Sequence, residues 1–152
     1  MVQQNVFTER DIRDLLSYVG VYNIWNTELT SGRIYKSSDE ELIRFIKEKL
    51  EIFNIKGIGE VSFIEHTKGG KYLPHVDNNG LEGHYMTFII LLSNPLDYDG
   101  GDLRFLNIPK SKEFNEQGYI HIFPSFFAWE ITKIKKGKKQ IISAFAHGEE
   151  WK

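Results

Sequence analysis

The chain has 152 residues, a formal net charge of −2 and no cysteine. That length suits one domain with its own hydrophobic core, the small charge supplies no basic field for nucleic acid, and the absence of thiols excludes disulfides, zinc-finger cages, iron–sulfur clusters and cysteine nucleophiles. Any metal must therefore bind through His, Asp, Glu or water. Hydrophobic residues make up 41% and aromatic residues 14% of the chain, enough to place it among globular rather than disordered sequences. Met1 to Phe7 carries neither a basic segment nor a long apolar one, and no later stretch reaches membrane-spanning length. The chain is expected to be soluble and cytoplasmic, without a signal peptide or a membrane partner.

In chain order, Thr8 to Val19 has the pattern of a helix. Thr8 and Asp11 make a capping box, Ile12, Leu15, Leu16 and Val19 share one face, and Gly20 is expected to stop it. Val21 to Leu29 reads as a strand. Ser38 to Phe53 is a second helix, with a Ser38–Glu41 capping box and a buried stripe of Leu42, Phe45, Ile46, Leu50 and Phe53. From residue 58 onward short apolar or alternating runs follow one another: Glu60–His66, Tyr85–Ser93, Asp102–Asn107, Gly118–Phe123, Phe127–Lys135 and Lys139–Ala146. Turn residues separate them at Lys68-Gly69-Gly70, Asn78-Asn79-Gly80, Asp99-Gly100-Gly101 and Lys136-Gly137. Helices first and short strands afterwards predict an α+β domain spanning 1–152, with residues 1–57 as helical support for a strand-built core over 58–147 that reads as a sandwich, jelly roll or barrel.

The strongest chemical signal is His75-Val76-Asp77. In an extended segment residues i and i+2 point to one face, so an imidazole and a carboxylate converge as two ligands of a 2-His-1-carboxylate iron site. A lone His-x-Asp is a weak signal, because such pairs are common in surface turns. Its neighbours make it specific. Lys68-Gly69-Gly70, His75-Val76-Asp77-Asn78, the apolar run Thr87 to Leu92, Gly100-Gly101-Asp102-Leu103, Phe123-Pro124-Ser125 and Gly137-Lys138-Lys139 occur in that order. As an ordered set over residues 60–146 they resemble the prolyl 4-hydroxylase-like branch of the Fe(II)/2-oxoglutarate oxygenases.

That resemblance implies a double-stranded β-helix in which His75 and Asp77 hold Fe(II). It also implies 2-oxoglutarate chelating the iron, with its far carboxylate on a basic residue of the last core strand. Lys139 stands at that position, and a compact ammonium is chemically suited to a carboxylate in a partly desolvated pocket. Spacing favours Lys139 over Lys138 within the basic run 133–139, which without the motif would read as a solvated hairpin tip. Asn78 and Thr87 are expected to line the pocket. Loops 78–83 and 109–117 are expected to meet the substrate.

The chain departs from the family at two places. The distal ligand position holds Trp129 instead of His, and an indole nitrogen is a donor with no lone pair for a metal. Nine residues before His75, where the family usually has a Tyr that contacts the cosubstrate, this chain has His66. His66, Glu130 and His121 are candidates for the missing ligand. Alternation turns Glu130 away from Trp129's face, and His121 shares a strand face with Tyr119 and Phe123. His84 and His147 read as loop or surface residues, and Trp25 and Phe126 as core. Gly100 and Gly101 read as a turn, since no helix start follows them to make a phosphate site.

The resemblance implies an oxygenase that uses Fe(II), 2-oxoglutarate and O2 to hydroxylate a C–H bond of a peptidyl or small amino-acid-like substrate. A pseudoenzyme of the same fold serving as a binding module is the alternative. A cupin-like site for another metal or a sugar is a third reading, and Lys139 at the cosubstrate spacing argues against it.

Overall fold

A computed structural model describes residues 2–22, 27–29, 32–76, 85–106 and 116–148. Asp77, Asn78, His84, Trp25, loop 78–83 and most of loop 109–117 lie outside the described residues. The elements in chain order are β1 (Val2–Asn5), α1 (Glu9–Tyr22), β2 (Thr27–Leu29), β3 (Gly32–Ser37), α2 (Glu40–Leu50), β4 (Ile55–His66), β5 (Tyr72–Val76) and β6 (Tyr85–Leu91). They continue with β7 (Tyr98–Gly100), β8 (Leu103–Phe105), β9 (Tyr119–Pro124), β10 (Ala128–Ile131), β11 (Ile134–Gly137) and β12 (Lys139–Gly148).

Among the described residues, the strands build a seven-stranded sheet in the order β1-β9-β6-β12-β4-β3-β2, a three-stranded sheet β5-β10-β8 and the pair β11-β7. The ladders are antiparallel throughout. The central four strands of the large sheet, β9-β6-β12-β4, face the small sheet and form the jelly roll of an α+β domain. Strands β1, β2 and β3 extend the same sheet at its two edges.

Alternation along the central strands sends side chains to two separate cores. Val61, Phe63, Phe88, Ile90, Ile120, Ile122 and Ile142 point to one face, where Ile12 and Leu15 of α1 and Leu42, Ile46 and Leu50 of α2 cover them. Ile64, Ile89, Leu91, Phe123 and Ile141 point to the other, where they meet Leu103, Phe105, Trp129 and Ile131 of the small sheet. Two amphipathic helices therefore brace one side, and the candidate site occupies the interior on the other.

The Thr8–Asp11 box forms: Thr8 N donates to Asp11 Oδ2 at 2.9 Å and Asp11 N donates to Thr8 Oγ1 at 3.1 Å. Other expectations need correction. α1 runs through Gly20 to Tyr22, because a glycine ends a helix only when the chain turns left-handed there, and otherwise merely weakens it. The expected strand over Val21–Leu29 shrinks to Thr27–Leu29 among the described residues. α2 is capped by Asp39, whose carboxylate accepts from Leu42 N at 3.0 Å, in place of the Ser38–Glu41 box. The reason is local: Ser37 Oγ accepts from Asp39 N at 3.1 Å and holds Asp39, a stronger anionic cap, at the boundary.

The tail of α2 tightens into a 3-10 turn, Glu51–Phe53, ended by left-handed Asn54. The run Phe127–Lys135 splits into β10 and β11, which bond to different partners. Phe126, expected in the core, is 57% exposed, because it sits in the turn between β9 and β10. β5 escaped the pattern because Pro74 interrupts it, yet a proline is tolerated where β5 lies, at the edge of the small sheet. Among the described residues no helix is long and apolar enough to cross a membrane.

Candidate active site

β5 presents His75 directly opposite Trp129 of β10. The His75 ring lies 4.3 Å from the Trp129 ring and stacks on Tyr72 at 4.7 Å. Its Nδ1 is 2.7 Å from the Leu73 carbonyl oxygen, which can only accept, so Nδ1 is the donor here and in the neutral ring Nε2 is the nitrogen with the lone pair. A histidine that binds metal through one nitrogen characteristically donates the other N–H to a carbonyl or carboxylate, which orients the ring. His75 therefore has the tautomer of a ligand.

Trp129 is 1% exposed and packs on Tyr72 at 5.3 Å and Phe123 at 6.1 Å as well as on His75. It fills the third corner of the expected triad with apolar surface. Glu130 points to the opposite face of β10, across from Arg104, as alternation requires. Among the described residues no three His, Asp or Glu side chains cluster to hold a metal.

Tyr72 was missed by the sequence reading, and strand parity explains the omission. Tyr72 and His75 differ by three positions, which should put them on opposite faces. The ladder pairs His75 with Trp129 but Tyr72 with Ile131, so β5 spends one extra residue between the two pairs. This bulge swings Tyr72 to the face of His75. Tyr72 also meets His66 edge-on at 5.8 Å, and so stands between the two imidazoles. A cleft of about 380 Å³ opens beside them, walled by Ile34, His66, Lys71, Tyr72, Leu73, Pro74 and His75.

Lys139 begins β12, directly across from His66 at the end of β4. It is 3% exposed and lies on the same strand face as Ile141, toward the interior, whereas the Lys138 side chain is 63% exposed. Lys139 Nζ donates to Gly101 O at 2.5 Å and sits 5.3 Å from the centre of the Tyr98 ring. Gly101 adopts a left-handed φ of 64°, and a Cβ there would lie 2.4 Å from Ile134 Cδ1. A glycine takes this left-handed turn without strain and so brings its carbonyl to the ammonium.

Two further imidazoles surround Lys139. His121 of β9 points to the interior, settling which way that strand face looks, and shares a small enclosed cavity with Lys139, Leu103 and Ile131. Burial, and secondarily the Lys139 charge, push His66 and His121 each down to about 4, so both are neutral near pH 7. Thr87 of β6 is fully buried, with its hydroxyl 3.0 Å from Ser125 Oγ.

Among the described residues the buried Lys139 ammonium supplies the charge that a carboxylate of the cosubstrate would need. The described residues fit iron at His75 and do not at Trp129.

No family profile matches the chain. Its sequence is 30% identical over 89 residues to a PKHD-type hydroxylase of Prochlorococcus marinus strain MIT 9312, covering 57% of this chain and 40% of that protein. A second PKHD-type hydroxylase of the same species is 29% identical over 82 residues, covering 52% and 37% respectively. The chain thus spans about two fifths of the length of these curated relatives. Among solved structures it superposes on the viral collagen prolyl hydroxylase of Paramecium Bursaria Chlorella virus-1, a 2-oxoglutarate complex, with a TM-score of 0.73 and 15% identity. That match covers 97% of this chain and 96% of the viral one. A Trichoplax adhaerens prolyl hydroxylase, solved with a hypoxia-inducible-factor peptide, gives a TM-score of 0.73 at 16% identity over 97% and 83% of the two chains. A Pseudomonas putida prolyl-4-hydroxylase gives 0.69 at 16%, over 97% and 92%.

Proposed function

We propose that the chain, which shares the fold of solved prolyl hydroxylases and resembles PKHD-type hydroxylases over part of its sequence, is a 2-oxoglutarate- and Fe(II)-dependent hydroxylase with an atypical metal site. The observation that carries the reading is the pairing of a ligand-ready His75 with a buried Lys139 on the same interior. His75 and Asp77 would hold the iron, and Trp129 leaves the third protein position to water or to another group. Lys139 would hold the far carboxylate of 2-oxoglutarate, with His66 beside it in register.

Bound iron with its cosubstrate supplies dioxygen activation: substrate C–H, O2 and 2-oxoglutarate give substrate C–OH, succinate and carbon dioxide. The chain's own residues do the rest. The Leu73 carbonyl orients the His75 ring, and Tyr72 and Trp129 clamp it. The walls of the cleft are mostly apolar, with Ile34, Tyr72, Leu73 and Pro74 beside His75, which suits a prolyl or similar residue of a peptide or a small amino-acid-like molecule.

Anaerobic titration of Fe(II) with 2-oxoglutarate tests the reading. Wild type is expected to bind iron weakly, and Asp77→Ala to lose that binding. Equal, negligible binding by both overturns it. The burial of Trp129 favours a second reading, a binding module of the same fold without turnover. Succinate formation separates the two, since the module forms none.

A further inference from the structure

Two lysine-bearing segments that lie far apart in sequence are joined beside the mouth of the cleft. Residues 66–76 carry Lys68 and Lys71 and no Asp or Glu, and residues 132–140 carry five lysines and again no Asp or Glu. They meet at the backbone: Gly69 N donates to Ile134 O and Ile134 N donates to Gly70 O, each at 2.9 Å. Ile134 is buried in the intersheet core, so alternation turns Lys133 and Lys135 outward together. Lys68 stands in the turn bonded alongside them, and Lys71 forms part of the cleft wall next to the exposed Leu73. The neighbouring carboxylates are engaged elsewhere. Glu65 is buried against Arg33 and Gln140, Asp102 lies by Arg104 at 3.8 Å, and Asp99 stands opposite Lys136 in the β7–β11 pair. Among the described residues no carboxylate comes within ion-pair distance of Lys68, Lys71, Lys133 or Lys135. A chain of net charge −2 thus gathers positive charge on one lip of its cleft, where it draws an anionic partner.

We propose that this basic lip, Lys68, Lys71, Lys133 and Lys135, binds acidic residues of an extended peptide whose adjoining segment lies in the cleft. The cleft favours a peptide over a nucleic acid. It runs between β5 of the small sheet and β3 and β4 of the large one, and Ile34, Leu73 and Pro74 make its walls largely apolar. Its volume of about 380 Å³ suits an apolar side chain with its backbone. Among the described residues β5 is the outer strand of its sheet, so an extended chain can run beside it. Lys71 precedes His75 by four residues, roughly 13 Å at about 3.3 Å per residue, which puts the acidic residues about three to six positions from the one at His75. That the peptide is a substrate rests on the hydroxylase reading; the charge of the lip does not.

The probes are fluorescent peptides with a central proline in an alanine–glycine body and a run of glutamates, glutamines or lysines on one side, made in both orientations. Anisotropy is read on the full chain without metal. In one orientation the glutamate peptide is expected to bind about tenfold more tightly than the glutamine one, since each exposed ion pair contributes a factor of up to about five. Added salt should erase the difference. The double variant Lys68→Glu, Lys71→Glu should reverse the preference toward the lysine peptide, a gain that a misfolded protein cannot show. Arg44→Glu, exposed on α2 beyond the other face of the large sheet, should change nothing. Equal affinity for glutamate and glutamine peptides, an unchanged preference in the double variant, or tighter binding of a single-stranded oligonucleotide of equal charge overturns the proposal. A glutamate peptide bound with its preference by a protein that forms no succinate with iron and 2-oxoglutarate keeps the lip and overturns the hydroxylase reading. Turnover of the glutamate and glutamine peptides with equal KM does the reverse.

Discussion

At the scale of single residues, the site is defined by burial more than by charge. His66 and His121 are ordinary imidazoles whose surroundings bring them from 6.5 to about 4, burial first and Lys139 second. In the unfolded chain they return to the ordinary value. Between pH 6.5 and 4 the unfolded chain takes up protons that the folded chain refuses, so stability is full above about 6.5 and falls as pH drops through about 4. Urea unfolding at pH 7 and pH 4.5 should show that fall. His66→Phe and His121→Phe should each flatten it, separating the histidines from carboxylates that titrate nearby. Gly101 offers a second residue-scale check. A methyl at its left-handed φ, pressed against Ile134, should move the turn and its carbonyl off Lys139. Gly101→Ala is expected to cost about 1–3 kcal/mol in chemical unfolding, the price of strain at a special φ.

At the scale of elements, local chemistry decided boundaries that periodicity alone left open. α2 begins at Asp39 because that carboxylate accepts from Leu42 N and Ser37 holds its own N–H. Asp39→Ala should lower stability by about 1 kcal/mol, and Ser38→Ala by a few tenths at most. A reversed order in denaturant midpoints would return the cap to Ser38. α1 and α2 are joined by Lys49 Nζ and Asp11 Oδ2 at 3.1 Å, and the same carboxylate also closes the Thr8 box. On the far edge, Arg33 of β3 pairs with Glu65 of β4 at 2.8 Å, and Gln140 of β12 donates to the same Glu65 at 3.1 Å. This tie lies on the strand faces opposite His66 and Lys139, and it holds in register the two strands that carry them.

At the scale of the whole molecule, the jelly roll gathers groups that no local segment holds together. His75 and Trp129 come from neighbouring strands of the small sheet, His66 and Lys139 from neighbouring strands of the large one, and the space between the sheets becomes the site. Trp129 stands where the resemblance expects a ligand and is a member of the intersheet core. Trp129→His should strengthen iron binding and raise succinate formation. It should also destabilise the fold by roughly 2–4 kcal/mol, because a smaller polar ring replaces a fully buried indole. No gain in a folded variant would mean that the distal corner of the site cannot reach His75.

The ordered motifs carried the family resemblance and with it the jelly roll, while strand parity and spacing set the buried Lys139 apart from the exposed Lys138 and turned Glu130 away from Trp129. Each of these depends on a two-residue repeat or on spacing along one chain, which neighbours in sequence determine by themselves. Tyr72 beside His75, His121 facing Lys139 and the Gly101 carbonyl on the ammonium were decided only in the tertiary structure. Parity names a face but not the partner across it; a bulge, a register and the packing of two sheets choose that partner. His75 is clamped by Tyr72, which the bulge in β5 brings to its face, and by Trp129 of the neighbouring strand, a pair of contacts that pairing register and not local spacing decides.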